Sequence, residues 1–288
     1  MEDNKKEKTP LRRWRRNSLY VTDMAAQAWC EQELEYGFTH GKKDNRVKKQ
    51  GRRRHKEKQR EISKEEKVKV NTREQRWALK FLNVWIMLEQ IRVDGICREL
   101  PLIGQGYGVW FVGVADELKW DGHRYVVLSD LKTRKKASIP SGAQTKGSRI
   151  QIMLYRYLYE QHRKGLDITA FLAHFRLDGG VVFTEELQYV VTQYLPGVST
   201  LLQICETVNK AFSKAPPMHT RLELRYEQQE TKAFLGIKGV HFNKSWLSEH
   251  LQSYVEYWQG QREAKNIAKD ESWKCSYCVH KKHCKAYQ

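Results

Sequence analysis

Residues 109–134, VWFVGVADELKWDGHRYVVLSDLKTR, are the stretch that decides the fold. An apolar run ends at Asp116, and the following Asp121-Gly122 pair is a strong signal for a tight turn, because both residues tolerate positive φ. The valine-rich segment that follows, residues 123–131, predicts a return strand. The stretch therefore predicts a β-hairpin.

The hairpin carries two carboxylates and a lysine. Asp130 and Lys132 are two residues apart, so a strand projects both side chains to the same side, and the hairpin can bring Asp116 to the same patch. Two carboxylates suit Mg²⁺, which polarises a phosphate and activates a bound water, and a nearby lysine orients that water or offsets developing charge. The alternative is an acidic hairpin with a surface lysine, because D…DxK is a short motif.

The segment from Lys146 to His162 has helical periodicity. Gln151 and Tyr155 are four residues apart, so they lie on one face of that helix. A strand–turn–strand–helix with D…DxK…QxxxY resembles the core of the PD-(D/E)XK nuclease superfamily, RecB-like branch. The alternative for Gln151 and Tyr155 is a helix face that packs on the sheet with solvated polar tips.

Composition points to a polyanionic partner. The chain has 288 residues, 40% hydrophobic and 30% charged, with a net charge of +18 and a pI of about 9.6. This excess favours nucleic acid or an anionic membrane surface, and nucleic acid is the better choice because no apolar run approaches a membrane span. We detect no secretory signal, so six cysteines indicate a reducing compartment in which clustered cysteines bind metal.

Two basic regions lie in the first quarter of the chain. Residues 1–19 are predicted to be a disordered tail that serves as a nuclear-import signal or a DNA-binding arm. A helix capped by Thr22 or Asp23 and containing Cys30 follows. Residues 42–60 carry eleven Lys or Arg against two acids, and this segment either tracks a phosphate backbone or is a solvated surface.

The remaining elements are predicted from apolar periodicity. Glu99 lies on a strand that a Gly-rich turn joins to the next, and it can add a carboxylate near the site. The other predicted elements are amphipathic helices at 72–91, 201–212 and 243–263, strands at 168–176 and 181–194, and a hairpin at 221–239.

The C-terminal stretch WKCSYCVHKKHCKAYQ, residues 273–288, holds three cysteines spaced C-x2-C-x5-C. Three thiolates do not complete a tetrahedral Cys₄ site. The fourth ligand could be His280, His283 or a distant cysteine, of which Cys30 is the candidate that would tie the two ends of the chain together.

The chain resembles the exonuclease V family of single-strand DNA exonucleases, iron–sulfur members of the RecB-like group. The matching segments span almost the whole chain: WCEQELEYG at 29–37, the Gly51-xxx-His55 spacing, REQRWALKFLN at 73–83, REL at 98–100, VGVADEL at 112–118, DLKTR at 130–134, QIMLYRY at 151–157 and WKCSYC…C at 273–284.

The resemblance implies a role for each motif residue. A [4Fe–4S] cluster would be held by Cys30, Cys275, Cys278 and Cys284, whereas Cys97 and Cys205 match no cluster position and are expected to be buried thiols. Mg²⁺ would be bound by Asp116 and Asp130, Lys132 would be catalytic, Gln151 and Tyr155 would form the helix motif, and His55 and Glu99 would be accessory. Relatives commonly carry Glu where Asp130 stands, and the shorter arm changes the expected metal geometry.

The prediction is therefore a mixed α/β fold with a PD-(D/E)XK core, in which helices flank a mixed central sheet and an iron–sulfur cluster joins the terminal segments. One RecB-like nuclease domain would span residues 20–288, with the basic segment at 42–60, the nuclease core at about 72–200, and the C-terminal helix and cysteines at 243–288.

The predicted activity is Mg²⁺-dependent hydrolysis of single-stranded DNA in repair or genome maintenance. Arg52, Arg53, Arg54 and Arg134 are the expected DNA contacts. We expect a nuclear monomer, with the mitochondrion as the alternative location and a single-strand DNA-binding protein as a candidate partner. The alternatives are a zinc- or cluster-stapled nucleic-acid-binding protein without cleavage, and a CRISPR-associated, Cas4-like nuclease.

Overall fold

The predicted hairpin lies at the centre of a six-stranded mixed sheet. The structure is a computed structural model that describes residues 9–41, 46–62, 65–284 and 287, without the side chains of residues 46–48. Its strands are β1 (Ser18–Tyr20), β2 (Ile96–Gly106), β3 (Val109–Trp120), β4 (Val126–Arg134), β5 (Arg221–Gln228) and β6 (Phe234–His241). Its α-helices are α1 (Val21–Trp29), α2 (Glu31–Thr39), α3 (Arg46–Ile62), α4 (Arg73–Asp94), α5 (Lys146–Lys164), α6 (Ile168–Phe175), α7 (Glu185–Tyr194), α8 (Leu201–Lys214) and α9 (Lys244–Trp258).

The turn of the hairpin is longer than a two-residue turn. The Asp121 side chain accepts hydrogen bonds from the backbone N–H groups of His123, Arg124 and Tyr125 at 2.8–3.0 Å, and Gly122 has φ +84°. This Asx-type turn occupies the residues predicted to begin the return strand. The return strand therefore runs over residues 126–134 rather than 123–131, and Asp130 and Lys132 lie inside it.

The sheet is mixed, as predicted. Strand β3 pairs antiparallel with β2 over nearly its whole length, antiparallel with β4, and parallel with β1. Strand β4 continues the sheet through a parallel pairing with β5, which forms a hairpin with β6. Helices α1 and α5 pack together, as do α4 and α8, so that the sheet is flanked by helices.

Side-chain caps fix where several helices begin. The Thr72 hydroxyl accepts from Gln75 N at 3.1 Å at the start of α4, and Asn243 does the same for α9. Both caps satisfy backbone donors that the first helical turn leaves unpaired. Helix α9 ends at Trp258 rather than near residue 263, and Gly260 adopts φ +72° just beyond it.

The two strands predicted at 168–176 and 181–194 are wrong, because both segments contain helices. The Asp167 carboxylate caps α6 by accepting from Ala170 N at 2.9 Å, and the buried Phe171 and Phe175 are four residues apart on its inner face. Leu187 and Val191 have the same spacing in α7. Short apolar runs fit either periodicity, and here the helix period places the apolar residues on the core.

Cys30 lies between two helices, and the prediction that it lies within one is wrong. It has extended backbone angles, ends α1 and caps α2, where its sulfur accepts from Glu33 N at 3.5 Å. Asp23 lies in the first turn of α1 and accepts from Tyr20 N, and Tyr20 is the N-cap. The Cys30 thiol is therefore presented at a corner of the chain.

Ordered structure begins upstream of the predicted tail boundary at residue 19. Trp14 stacks on Phe38 at 5.0 Å and meets the edge of Trp258 at 6.4 Å, while Arg15 forms a salt bridge with Asp23 at 2.6 Å. Lys5 and Lys6 of the predicted import signal lie outside the described residues. Across the described part of the chain, no helix combines the length and apolar character needed to cross a membrane.

Candidate active site and cysteine cluster

The candidate active site lies at a fork in the sheet. Strand β2 pairs along one edge of β3, so β1 and β4 share the other edge. On that edge β1 pairs with residues 110–112 of β3, and β4 pairs with residues 117–120 of β3. Asp116 lies in the gap between them, where its Oδ2 accepts a hydrogen bond from the backbone N–H of Leu131 at 2.9 Å. A side chain thus replaces a ladder contact where the two strands diverge.

Asp130 is a buried carboxylate without an adequate hydrogen bond. Its exposed fraction is 0%, and neither oxygen accepts a hydrogen bond of acceptable geometry from the described residues, although Oδ2 lies 2.6 Å from Lys132 Nζ. Burial raises the pKa of Asp130 to about 7, and Asp116 adds to the rise, while Lys132 opposes it. Lys132 supplies one positive charge at Asp130, but Asp116 adds a second carboxylate nearby, so the remaining negative charge favours a further cation at this site.

Lys132 connects the carboxylates to helix α5. Its Nζ donates to Gln151 Oε1 at 3.0 Å, and Gln151 Nε2 in turn donates to the Tyr155 hydroxyl at 3.3 Å. Burial lowers the pKa of Lys132, but Asp130 and Asp116 outweigh it, so that the net shift is upward. Lys132 is therefore held as a cation, and the predicted Gln151 and Tyr155 pair positions it.

Two further residues, His55 and Glu99, converge on Asp116. His55 Nδ1 lies 3.5 Å from Asp116 Oδ2 and 3.6 Å from Glu99 Oε1, and one ligand atom from each residue lies within 4.8 Å of the others. His55 Nε2 is 3.1 Å from the Leu131 carbonyl oxygen, so it can donate there and leave Nδ1 as the acceptor. We call His55, Glu99 and Asp116 the metal group.

The backbone of Glu99 is unusual for a strand. It has φ +58°, and its position opposite Asp116 is missing from the β2–β3 ladder, although the register is the same on both sides of it. A left-handed non-glycine residue costs about 1–2 kcal/mol, and such outliers are typical of functional sites. This conformation turns a carboxylate toward the metal group.

The donor atoms suit a hard cation. Carboxylate oxygens of Asp116, Asp130 and Glu99 are the ligands that Mg²⁺ prefers, and His55 adds an imidazole nitrogen. Asp130, predicted as a metal ligand, is not part of the compact metal group but lies next to it through Leu131. The structure thus brings together all seven residues predicted for the catalytic site. Asp116 belongs to the metal group and also lies near Asp130 and Lys132.

Ion pairs hold helix α3 over this site. Glu227 on β5 accepts from Arg54 Nε at 2.9 Å and contacts Lys58 Nζ at 2.8 Å, while Glu61 contacts Arg98 on β2 at 2.8 Å. The pairs fix the helix that carries His55. Sequence reasoning missed Glu227 and Arg98, because nothing in their local pattern marks a partner on a distant helix.

The four predicted DNA contacts differ in their surroundings. Arg53 keeps 80% of its side chain exposed, whereas Arg54 is 19% exposed and engaged by Glu227. Arg52 is also exposed on α3, and Arg134 is half-buried at the end of β4. Arg54 is therefore placed to anchor the helix, and Arg53 is the better placed of the two to meet a phosphate.

The cysteines predicted as cluster ligands line one cavity of about 410 Å³, its open part included: Cys30, Cys275, Cys278 and Cys284. The C-terminal three lie on two short 3₁₀ segments, Lys269–Tyr277 and Lys281–His283, and on the residues that follow each. Burial raises the pKa of the Cys30 thiol to about 11 and, to a lesser degree, that of Cys278. Cys97 and Cys205 are buried elsewhere in the core, as predicted.

The four sulfurs are grouped less tightly than the ligand atoms of the metal group. Among the described residues, no three of these thiol sulfurs lie within 4.8 Å of one another. A tetrahedral zinc with Zn–S bonds of about 2.3 Å needs sulfurs less than about 4 Å apart. The side chains as described therefore do not form a preassembled tetrahedral zinc site.

A buried lysine accompanies the cysteines. Lys274 is 2% exposed and lines the same cavity, with its Nζ 2.8 Å from Glu271 Oε2 and 3.2 Å from the Trp29 carbonyl oxygen. Lys281 also lines the cavity. The charge of Lys274 is therefore paired with Glu271 at the edge of the cysteine cavity. Sequence reasoning did not single out Lys274, although its place beside Cys275 is a usable signal.

Comparisons with known proteins agree along the whole chain. The family model described as "Exonuclease V - a 5' deoxyribonuclease" matches residues 9–125, 120–195 and 192–286. Exonuclease V of Danio rerio is 29% identical over 283 residues, covering 96% of this chain and 72% of that protein. A solved structure described as "Crystal structure of SSO0001" aligns at a TM-score of 0.40 and 11% identity, over 94% of this chain and 87% of that one, which is too remote to carry an argument. The chain therefore belongs to the exonuclease V family of DNA exonucleases.

Proposed function

We propose that the protein is a Mg²⁺-dependent exonuclease that hydrolyses single-stranded DNA. The observation that carries the proposal is Asp130, a fully buried carboxylate that lacks a proper hydrogen bond and lies beside Asp116 and Lys132. The Lys132 ammonium balances only one of these two carboxylates, so a further cation is favoured there, and it would lie next to a fixed ammonium. That pairing suits cleavage of a phosphodiester.

The chain's own groups divide the work. Bound Mg²⁺ supplies charge neutralisation on the phosphate and lowers the pKa of a water. Asp116, Asp130 and Glu99 hold the cation, and His55 completes the group from helix α3. Lys132, held by Gln151 at 3.0 Å, orients the attacking water or offsets charge on the phosphate.

In this proposal, the DNA backbone is bound by helix α3 and by the end of strand β4, where Arg134 lies. Arg52 and Arg53 are exposed on α3, whose residue His55 reaches the metal group, so a strand along this helix passes the site. The net charge of +18 supports a polyanionic substrate. The biological setting we propose is DNA repair in the nucleus, by a monomer that acts with a single-strand DNA-binding protein.

We also propose that Cys30, Cys275, Cys278 and Cys284 hold a [4Fe–4S] cluster. The shared cavity and the all-thiolate donor set support it. The cluster would link residue 30 to the C-terminal segment and so have a structural role.

A digestion assay tests the nuclease proposal. We expect Mg²⁺ to support, and EDTA to stop, the degradation of linear single strands, with circular single strands and duplexes resistant. Because the matched family is described as a 5' deoxyribonuclease, we expect a 5' label to be released first. Lys132→Ala or Asp116→Asn should lower cleavage by on the order of 10³-fold, as is typical for loss of a catalytic group, while DNA binding persists.

Lys119→Ala is the matched control, since Lys119 is an exposed lysine on the same hairpin, outside the site. It should cleave at the normal rate. Near-normal cleavage by Asp116→Asn would overturn the assignment of the metal site.

A further inference from the structure

A cavity continues from the metal group along the sheet. It measures about 1010 Å³, open solvent at its mouth included, and residues of α3, α4, α5, β2 and β3 contribute to its wall. Glu99 belongs both to this wall and to the metal group. A strand whose phosphate sits at the metal group therefore has this cavity beside it.

The floor of the cavity follows from the strand register. Ile103 pairs with Val112 and Pro101 with Val114, and one step further along the same face Glu99 stands opposite Asp116. Rungs two residues apart are about 7 Å apart along a strand. Two apolar rungs thus lead directly to the acidic rung, and Val114 is 40% exposed at the floor.

Aromatic groups line the other side. Trp77 on α4 is half-buried, held edge-to-face by Phe171 at 5.0 Å, and the Nζ of Lys80 lies 4.6 Å from its ring centroid. Tyr20, 49% exposed, lies in the same wall. Trp77 therefore packs against the core and also contributes to the cavity wall.

A buried polar atom also lies in this wall. His162 is 2% exposed, and its Nε2 accepts a hydrogen bond from Ile103 N at 3.2 Å. Burial lowers its pKa to about 4, so the ring is neutral and Nδ1 carries the proton. Within the described residues that N–H has no acceptor, and it is itself buried, so His162 supports the wall through Ile103 rather than contacting a ligand.

We infer that this cavity receives an unpaired nucleobase of the DNA strand that is being cut. The inference rests on the proposed function, because it assigns the base of the same substrate. An apolar floor and an aromatic wall match the flat faces of a base. A base enclosed by helices and sheet cannot keep its Watson–Crick partner, so the cavity selects single strands.

The test measures binding rather than cleavage. Fluorescence anisotropy in EDTA compares a labelled oligothymidylate with an abasic oligomer of the same length, which has the same phosphates but no bases. We expect the wild-type protein to bind the thymidylate about tenfold more tightly, as stacking of one base provides. Val114→Trp fills the floor and should bring the ratio of the two affinities close to one.

Val93→Trp is the matched control, since Val93 is 67% exposed on α4 and does not line the cavity. It should keep the wild-type ratio. Trp77→Leu removes the aromatic wall, leaves the floor intact and should also lower the ratio of the two affinities. It is the second test variant if Val114→Trp does not fold.

The inference is overturned if the wild-type protein binds both oligomers equally, or if folded Val114→Trp or Trp77→Leu keeps the wild-type ratio. Absence of Mg²⁺-dependent cleavage by the wild-type protein, with the binding ratio and its dependence on Val114 intact, would instead overturn the proposed function alone.

Discussion

The hairpin of residues 109–134 and the cysteine cluster are assembled in opposite ways. In the hairpin, Asp116, Asp130 and Lys132 lie within one continuous stretch, and backbone pairing places them. In the cluster, Cys30 comes from the first helices and its three partners from the end of the chain. One site is set by local pairing and the other by contacts that span almost the whole sequence.

The difference shows in what holds each region. Strand β4 has neighbours on both sides and several fully buried residues, including Leu128 and Asp130. The segment after α9 is held by 3₁₀ turns and by polar contacts such as Arg262 with Glu31 at 2.6 Å. The hairpin is therefore stable through burial and pairing, whereas the C-terminal segment would depend on the proposed cluster.

The largest expected effect is that of Cys30→Ser. It removes one ligand, and even an outer contact of a metal site is worth about 10–100-fold in metal affinity, so at least that reduction is expected. Iron and sulfide content should fall, the segment after residue 258 should become sensitive to protease, and cleavage should decline with them. Metal analysis and limited proteolysis measure both effects.

Cys97→Ser is the control for this prediction, because Cys97 is a buried thiol outside the cluster cavity. It should keep its iron even if it is less stable. Full iron and activity in Cys30→Ser, with loss of iron in Cys97→Ser, would show that the fourth ligand was misassigned. Stoichiometric zinc in place of iron would favour the zinc-stapled alternative.

A second, intermediate effect is expected at Glu227, which joins helix α3 to the sheet. Glu227→Gln weakens the ion pairs with Arg54 and Lys58, at a cost of about 1–2 kcal/mol in the free energy of unfolding. Cleavage should fall several-fold, because His55 is no longer held in a fixed position. Glu230→Gln, an exposed change in the neighbouring turn, should alter neither quantity.

The Glu227 effect should depend on pH. Burial alone would raise the pKa of Glu227, but hydrogen bonds from Arg54 and Lys58 outweigh it and hold the pKa below the ordinary value of 4.5. A lowered carboxylate pKa stabilises the folded state above the unfolded value, and that stability is lost as pH falls through the folded pKa. Chemical denaturation of the wild type and Glu227→Gln should differ fully at pH 7 and converge below about pH 4.5. A difference that stays constant down to strongly acidic pH would exclude this pair as its source.

The smallest effect is expected at Arg53. Arg53→Glu should reduce the slope of log K against log salt for single-strand binding by about 0.7, because the change removes one phosphate-binding cation, and it should alter thermal stability little. Arg92→Glu is the matched control, because Arg92 is an exposed arginine paired with a glutamate of its own helix, as Arg53 is with Glu57. Equal slopes for Arg53→Glu and the wild type would leave α3 as a structural support only.

Local patterns predicted a large part of the fold. The hairpin, the helix carrying Gln151 and Tyr155, the helix predicted at 72–91 and the β5–β6 hairpin are all present. The failures at α6 and α7 have one cause, since short apolar runs fit a strand or a helix equally well and only the surrounding core decides. The left-handed Glu99 and the longer turn after Asp121 also escaped prediction, because both depend on individual side-chain and backbone contacts.

The sequence by itself determined the chemistry available to this protein. Two aspartates, a lysine, four clustered or matching cysteines and a strong positive charge were all readable, because residue type and short-range spacing carry that information. Only the tertiary structure decided that Asp130 is fully buried, that Glu227 holds helix α3, that Lys274 lies beside the cysteines, and that an apolar cavity meets the metal group at Glu99. These features join residues far apart in the chain, and such contacts are set by how the helices and sheet pack, which local periodicity does not encode.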